Sequence, residues 1–391
     1  MDTAKIVMGA NFGDEGKGGM TDYFAYKAKE QKVSCLVVCH NGGSQKGHTV
    51  VSPSGLRHVF HHFGSGCFEG ADTYLASEFI VNPLIFNKER EELKTKGKLT
   101  KCFVNPNCRV TTPFDMMINQ IVEESRGNNK HGSCGLGIFE TVMRTSRPGT
   151  SFLEFASMSN RRKKEFLDEI VFYYVPHRLR VLGIDKIPTK WADILNKKDT
   201  IIDNFINEFD CMQRNVVVEN DTIIDSYNYV IFEGAQGLLL DQNNVEYMPH
   251  LTPSNTGIKN PLDIIDIREA DIEVCYVSRT YMTRHGAGRF DTECGKEAIN
   301  PKIVDLTNIP NPFQDTIRYG KLNLTDLRSR IDCDFGKREL KKSIAITHMN
   351  EHEIDKRELK NTFSDFNIYV SDGMTHNDMY TLIESLLLKK I

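Results

Sequence analysis

The first fifty residues constrain this chain more than any other stretch. They read as a strand, Lys5 to Gly9; a turn, Asn11-Phe12-Gly13-Asp14-Glu15-Gly16-Lys17-Gly18-Gly19; a helix; a second strand, Cys35 to His40; and a second glycine loop, Asn41-Gly42-Gly43-Ser44-Gln45-Lys46-Gly47-His48-Thr49. Glycines around a lysine at a helix start let backbone N–H groups and the helix dipole converge on an anion, with Lys17 as a point charge. That is phosphate chemistry. The turn is not a Walker A loop, because Gly18 follows Lys17 where a Ser or Thr would reach Mg²⁺. Another group must meet the metal.

Asp14 and His48 are the predicted catalytic pair. A carboxylate among phosphate-binding amides can act as a base or hold Mg²⁺, and a histidine in a second glycine loop can donate a proton or stabilise a transferring phosphoryl group. Taken singly, Asp14 can equally well cap the helix and His48 satisfy a loop carbonyl. Together, at the ends of what read as two adjacent strands, they point to a site, since ligands of open α/β sheets bind at the carboxyl ends of strands.

Composition narrows the class. The 391 residues are 40% apolar and 26% charged, ordinary for a soluble globular protein, and the net charge of −4 argues against a nucleic-acid partner. No apolar run approaches the roughly 20 residues that span a bilayer, and the N-terminus lacks a signal-like stretch, so a cytoplasmic protein without a membrane partner is expected. Ten cysteines without a CxxC pair read as reduced thiols.

Further along, Leu75 to Pro83 reads as strand and turn into a charged helix, and Gly127 to Gly137 as a third glycine-rich loop carrying Ser133 and Cys134. Ser159 to Cys211 is helix-compatible and is taken as a helical layer. The apolar strand Tyr229 to Phe232 leads into Glu233-Gly234-Ala235-Gln236-Gly237, placing the Gln236 amide where it can meet a sugar or base edge. After Ile272 to Val277 comes a basic loop, Thr283-Arg284-His285-Gly286-Ala287-Gly288. In Gln314 to Gly320, an arginine and a threonine can hold a carboxylate. Late strands Ser343 to Thr347 and Asn367 to Val370 end in polar residues. The expected fold is α/β, with a largely parallel central sheet, helices on both faces and extended loops, as one domain over 1–391 with a helical insertion around 159–211.

The runs Gly13-Asp14-Glu15-Gly16-Lys17-Gly18, Gly47-His48-Thr49, Phe232 to Gly237 and Thr283 to Gly288 resemble the adenylosuccinate synthetase family in order and spacing across nearly the whole chain. The resemblance implies a ligase working in two steps. A base removes the N1 proton of a 6-oxopurine nucleotide and O6 attacks the γ-phosphate of a nucleoside triphosphate; the amine of L-aspartate then displaces the 6-phosphoryl group. It implies Asp14 as the base and a Mg²⁺ ligand, the Gly47 carbonyl as a second metal contact, and His48 as the acid on the phosphoryl oxygens.

By the same resemblance Gly13, Glu15, Gly16, Lys17, Gly18, Gly47 and Thr49 fall to the phosphates, with Thr347, His348, Met349, Asn350, Ser371 and Gly373 on the triphosphate. Asp14, Gln45, Lys46, Ser133, Cys134, Gln236 and Thr252 fall to the purine monophosphate, as does Arg144, whose reach to a neighbouring subunit's nucleotide implies a homodimer. Asp315, Thr316 and Arg318 fall to aspartate.

The departures carry the finer expectation. The family's Asn-Ala-Gly-His-Thr is Gln45-Lys46-Gly47-His48-Thr49 here, two threonines become Ser133-Cys134, and the arginine-rich aspartate loop shrinks to Asp315-Thr316-Ile317-Arg318. The guanine-reading Thr-Lys-Leu-Asp is Thr347-His348-Met349-Asn350. A carboxylate accepts from the N1–H and 2-amino group of guanine, whereas an amide suits the N1 acceptor and N6 donor of adenine. These changes resemble the bacteriophage 2-aminoadenylosuccinate synthetases, which join dGMP to aspartate with ATP or dATP, implying diaminopurine synthesis in a host cytoplasm. Retained Asp14 favours the ordinary alternative, IMP with GTP. A nucleotide-binding regulator without turnover is a third reading, supported by the reduced aspartate loop.

Overall fold

The computed structural model describes residues 1–146, 151–265, 270–305, 308 and 316–383. Ten strands form the central sheet: β1 (Thr3–Gly9), β2 (Cys35–Cys39), β3 (Asp72–Leu75), β4 (Cys102–Val104), β5 (Val217–Val218), β6 (Tyr229–Gly237), β7 (Asp271–Arg279), β8 (Lys341–Thr347), β9 (Asn367–Ser371) and β10 (Met379–Thr381). Their spatial order is β10-β9-β8-β7-β1-β6-β2-β3-β4-β5. All neighbours pair in parallel except β9 with β10. The largely parallel α/β sheet expected from the sequence is present.

One expectation about its order is corrected. β1 and β2 are not neighbours, because β6 inserts between them. The inserted strand is apolar enough to be buried on both faces, as a central parallel strand must be. Its carboxyl end therefore lies between the Asp14 turn and the His48 loop, and brings Glu233 with it.

Period-two alternation fixes what each face covers. Val7, Val37, Ile231, Cys275, Val277 and Ala345 pack with Met20 and Phe24 of helix α1 (Lys17–Glu30). The intervening residues Ile6, Met8, Val230, Phe232, Val274 and Ile344 pack with Leu327 and Ile331 of the helix Leu324–Phe335. A third core joins the sheet end at Cys39, Leu75 and Val104 to helices that include Pro113–Ser125, Asn160–Glu169 and Lys198–Asn215. Helices fill the stretch from Asn160 to Asn215, and Ile138–Thr145 and Phe152–Ser157 precede them.

Local signals set the element ends nearest the site. Asn82 caps the helix Pro83–Thr95 by accepting from Leu84 N and Ile85 N, with Pro83 at its first position. Gly16, at φ 96°, turns the chain into α1 in the left-handed region that glycine tolerates best. No helix among the described residues is long and apolar enough to cross a membrane.

Candidate active site

The carboxyl ends of β1, β6, β2, β7 and β8 converge on one edge of the sheet, and the glycine loops begin there. The turn after β1 is held from inside. Glu15 is buried, accepts from Asn11 N at 2.9 Å and Gly13 N at 2.8 Å, and pairs with Lys17 Nζ at 2.9 Å. Lys17 also donates to the Gly13 carbonyl. Arg330 completes the brace with bonds to Ala10 O and Asn11 Oδ1 of 2.9 and 2.7 Å. Asp14 is left at the rim with 27% of its side chain exposed.

His48 opens a short antiparallel hairpin, His48–Val51 with Arg57–Phe60, and is not simply a loop residue. Gly18 makes this possible, since a Cβ there would lie 2.9 Å from His48 Cβ. The imidazole is buried, and its Nδ1 lies 2.8 Å from Glu233 Oε1. Glu233 is wholly buried and also takes Lys46 Nζ at 3.0 Å, Ser65 N at 3.3 Å and the Ser65 hydroxyl. Burial raises the Glu233 carboxyl, but Lys46, His48 and Ser65 outweigh it and hold the group well below the usual carboxylate range. An ionised carboxylate only accepts, so His48 Nδ1 is the protonated nitrogen and Nε2 is left for a ligand. Burial keeps this imidazole below its ordinary range against the pull of Glu233.

The other loops close around Asp14. His285 Nε2 lies 3.5 Å from Asp14 Oδ2, and Arg279 Nε donates to the Asp14 carbonyl. Ala287 N bonds His131 O at 3.0 Å, and a Cβ on Gly132 would meet Gly286 Cα at 2.5 Å, so the Ser133-Cys134 loop is docked on the basic loop. Gln236, at φ 65°, lies against Gly13. Thr347 donates to Glu15 O at 2.7 Å and places His348, Met349 and Asn350 on the opposite lip, where Met349 N bonds Ser371 O at 3.0 Å. Gln45 has both amide atoms buried without a partner, a demand that a ligand can meet.

Comparison with known proteins agrees with this geometry. The model of the family described as adenylosuccinate synthetase matches residues 6–310. The chain belongs to the adenylosuccinate synthetase family. It is 33% identical over 295 residues to the adenylosuccinate synthetase of Mesoplasma florum, covering 74% of this chain and 64% of that protein. To the Lactobacillus acidophilus adenylosuccinate synthetase it is 31% identical over 304 residues, covering 74% and 65%. The chain thus spans a little under two thirds of the length of these curated relatives. Among solved structures, the fully ligated adenylosuccinate synthetase of Plasmodium falciparum superposes with a TM-score of 0.72 at 16% identity, covering 96% of this chain and 99% of that one. The succinoaminodeoxyadenylate synthetase of cyanophage S-2L, bound to dGMP and dATP as an energy donor, superposes with 0.66 at 15% identity, covering each chain fully. At such identities the likeness is one of fold.

Within this adenylosuccinate synthetase fold, several expected ligand residues have partners within the chain. Glu15 is consumed by its own turn and offers no donor to a phosphate. Lys46 turns into the interior, where Glu233, Phe63 O and Cys39 take its ammonium. Arg144 is buried, with Nε and Nη2 on Asp115 at 2.8 and 2.9 Å and Nη2 on Val110 O. Arg318 braces the basic loop through Gly286 O, Gly288 O and Glu293. Ser133 Oγ accepts from Asn119, Ser371 Oγ donates to Gly373 O, Thr252 N bonds Leu240 O, and Thr316 is exposed. Asp315 lies outside the described residues.

Glu233 and Ser65 received no role from the sequence. A signal for Glu233 was present, because an acid ending an apolar central strand must find a partner. Ser65 carries none, being brought in only by the fold.

Proposed function

We propose that the chain joins L-aspartate to C6 of a purine monophosphate at the expense of a nucleoside triphosphate, and that its pair is dGMP with ATP or dATP. One observation carries the reaction class: the buried Glu233–His48 pair stands across the glycine turn from a carboxylate, Asp14, whose oxygens remain available. Asp14 removes the N1 proton. O6 attacks the γ-phosphorus and the bond to the diphosphate breaks, with His48 taking a proton at Nε2 when the anionic substrates bind, its charge balanced by Glu233, and donating that N–H to the phosphoryl oxygens as charge shifts onto them. The aspartate amine then adds at C6, and phosphate leaves with the transferred oxygen.

Mg²⁺ fits these residues. The His285 imidazole lies 3.5 Å from the Asp14 carboxylate, Gly47 is exposed, and one carboxylate, one carbonyl and substrate phosphates suit this ion. When bound it supplies charge neutralisation on the triphosphate. Arg284 provides a cationic floor. Burial, then the neighbouring Arg318, pushes its guanidinium down to about 10, a deficit of negative charge that a dicarboxylate relieves. It stacks 4.5 Å from the Phe12 ring centroid.

The choice of dGMP and an adenine triphosphate rests on Asn350, exposed on the lip, where an amide suits adenine, and on the unpartnered Gln45 amide. The fold-level likeness to the cyanophage S-2L enzyme supports it. IMP with GTP is the second reading, favoured by the names of the curated relatives and by retained Asp14. A regulator without turnover is disfavoured by the completeness of the His48–Glu233 pair.

The test is phosphate release with L-aspartate and Mg²⁺, crossing IMP, GMP and dGMP against GTP, ATP and dATP. Turnover with dGMP and an adenine triphosphate is expected. Turnover confined to IMP with GTP would replace the substrate assignment, and none with any pair would remove the activity.

A further inference from the structure

Lys46 is an unusual residue to bury beside a proposed catalytic histidine. Its side chain is inaccessible to solvent, as is that of Glu233. The ammonium has three N–H donors and meets three acceptors: Glu233 Oε2 at 3.0 Å, Phe63 O at 3.1 Å and Cys39 Sγ at 3.1 Å. No donor remains for a ligand. The Glu233 oxygens divide their duties. Oε2 takes Lys46 and the Ser65 amide, while Oε1 takes His48 Nδ1 and the Ser65 hydroxyl.

We propose that Lys46 is a positioning residue that acts through Glu233, holding the carboxylate rotated so that Oε1 fixes the ring and tautomer of His48, and that it takes no part in binding the purine. The inference rests on the phosphoryl-transfer reading of His48. It also explains how a lysine can stand one residue before the exposed Gly47 and two before His48 without reaching the open edge. Its stem runs inward between β2 and the Phe63 turn, and its charge is spent there. Other charged groups around His48 are Glu233 on β6 and Lys17 on α1, and the Lys17 ammonium is already held by Glu15 and Gly13. Lys46 is therefore the cation in contact with the carboxylate that His48 uses.

The experiment is a double-mutant cycle of Lys46→Met and Glu233→Gln, read in kcat and in KM for the purine monophosphate, with thermal unfolding as the check on folding. Lys46→Met is expected to lower kcat about tenfold or more with KM within about twofold of the parent. The double variant should lose no more than Glu233→Gln alone, because the lysine has nothing left to act through. A rise in KM at unchanged kcat would return Lys46 to the purine site and overturn the proposal, as would losses that multiply, or no loss at all.

Should the single variant fail to fold, the double variant, which strands no charge, carries the comparison with Glu233→Gln. A readout independent of turnover separates this inference from the function beneath it. The ring ¹⁵N shifts of His48 are expected to report protonated Nδ1 in the parent and to lose that pattern in Lys46→Met. An unchanged tautomer would refute the positioning role even if no substrate pair is ever turned over, whereas a changed tautomer without turnover would leave it standing and remove only the assigned reaction.

Discussion

The two sides of the glycine turn are built in different ways. On the β2 and β6 side, His48, Glu233, Lys46 and Ser65 are buried and bonded to one another, so geometry is set before any ligand arrives. On the β8 side, Thr347 is anchored to Glu15 but Asn350 stands in solvent on the lip. The contrast teaches where chemistry and choice reside. A group that must hold a proton to within a fraction of an ångström needs a packed and fully bonded setting. A group that only distinguishes one base edge from another can sit on the rim, where replacement costs the fold little.

If that division is right, variants on the buried side fall hardest. His48→Ala should lower kcat by about 10²–10⁴-fold, the usual worth of a positioned acid or base, with nucleotide affinity largely kept. Titration calorimetry beside steady-state kinetics checks this, and near-normal turnover would take His48 out of the mechanism. Asp14 is the exception at the rim, placed by its braced turn and not by burial; Asp14→Ala should still cost at least about 10² in kcat, and Asp14→Asn should do the same because the amide cannot take the N1 proton. A variant that only raises the Mg²⁺ requirement would leave Asp14 as a metal ligand and not a base.

Acid should also strike the buried side. Burial lowers the imidazoles of His40, to about 3, and of His48 and His62. Each stays neutral in the fold while the unfolded chain takes up a proton near 6.5, so stability is full above that pH and falls as pH drops from about 6.5 toward 3. The slope approaches 1.4 kcal/mol per pH unit for each group held neutral. His376 works in the opposite sense, because its bond to Asp22 raises it and strengthens as pH falls, but burial also lowers His131, His250 and His348, so it is one group against six. Thermal unfolding between pH 8 and 4 should show a falling midpoint below about 6.5. A flat profile would mean that these imidazoles are not buried as described.

The smallest expected effect lies on the lip. Asn350→Asp should shift the ATP to GTP preference toward GTP by about tenfold, the size of one base-edge contact, while thermal stability changes by less than about 0.5 kcal/mol. An unchanged ratio would move triphosphate choice to another residue. A large loss of stability would erase the contrast between the two sides.

Much of the buried framework was legible because strands and glycine turns announce themselves locally. Lys5 to Gly9, Tyr229 to Phe232 and Ile272 to Val277 are apolar runs bounded by glycine or polar residues, and each proved a central strand. Strand order was not legible in the same way. Nothing local to β1 or β2 says that a strand nearly two hundred residues later will lie between them, and that insertion is what brings Glu233 to His48. Side-chain direction was the other gap. Lys46, Arg144 and Glu15 all sit in stretches assigned to ligands from the sequence, and each has a partner in the interior, which spacing alone does not show.

The central claim is that O6 of the purine becomes an oxygen of the released phosphate. It is tested most directly by turning over [6-¹⁸O]dGMP with L-aspartate, Mg²⁺ and ATP and reading the phosphate by ³¹P NMR. One ¹⁸O is expected in each phosphate released. Phosphate carrying only ¹⁶O, formed along with the succinylated product, would contradict the 6-phosphoryl route and with it the roles given to Asp14 and His48.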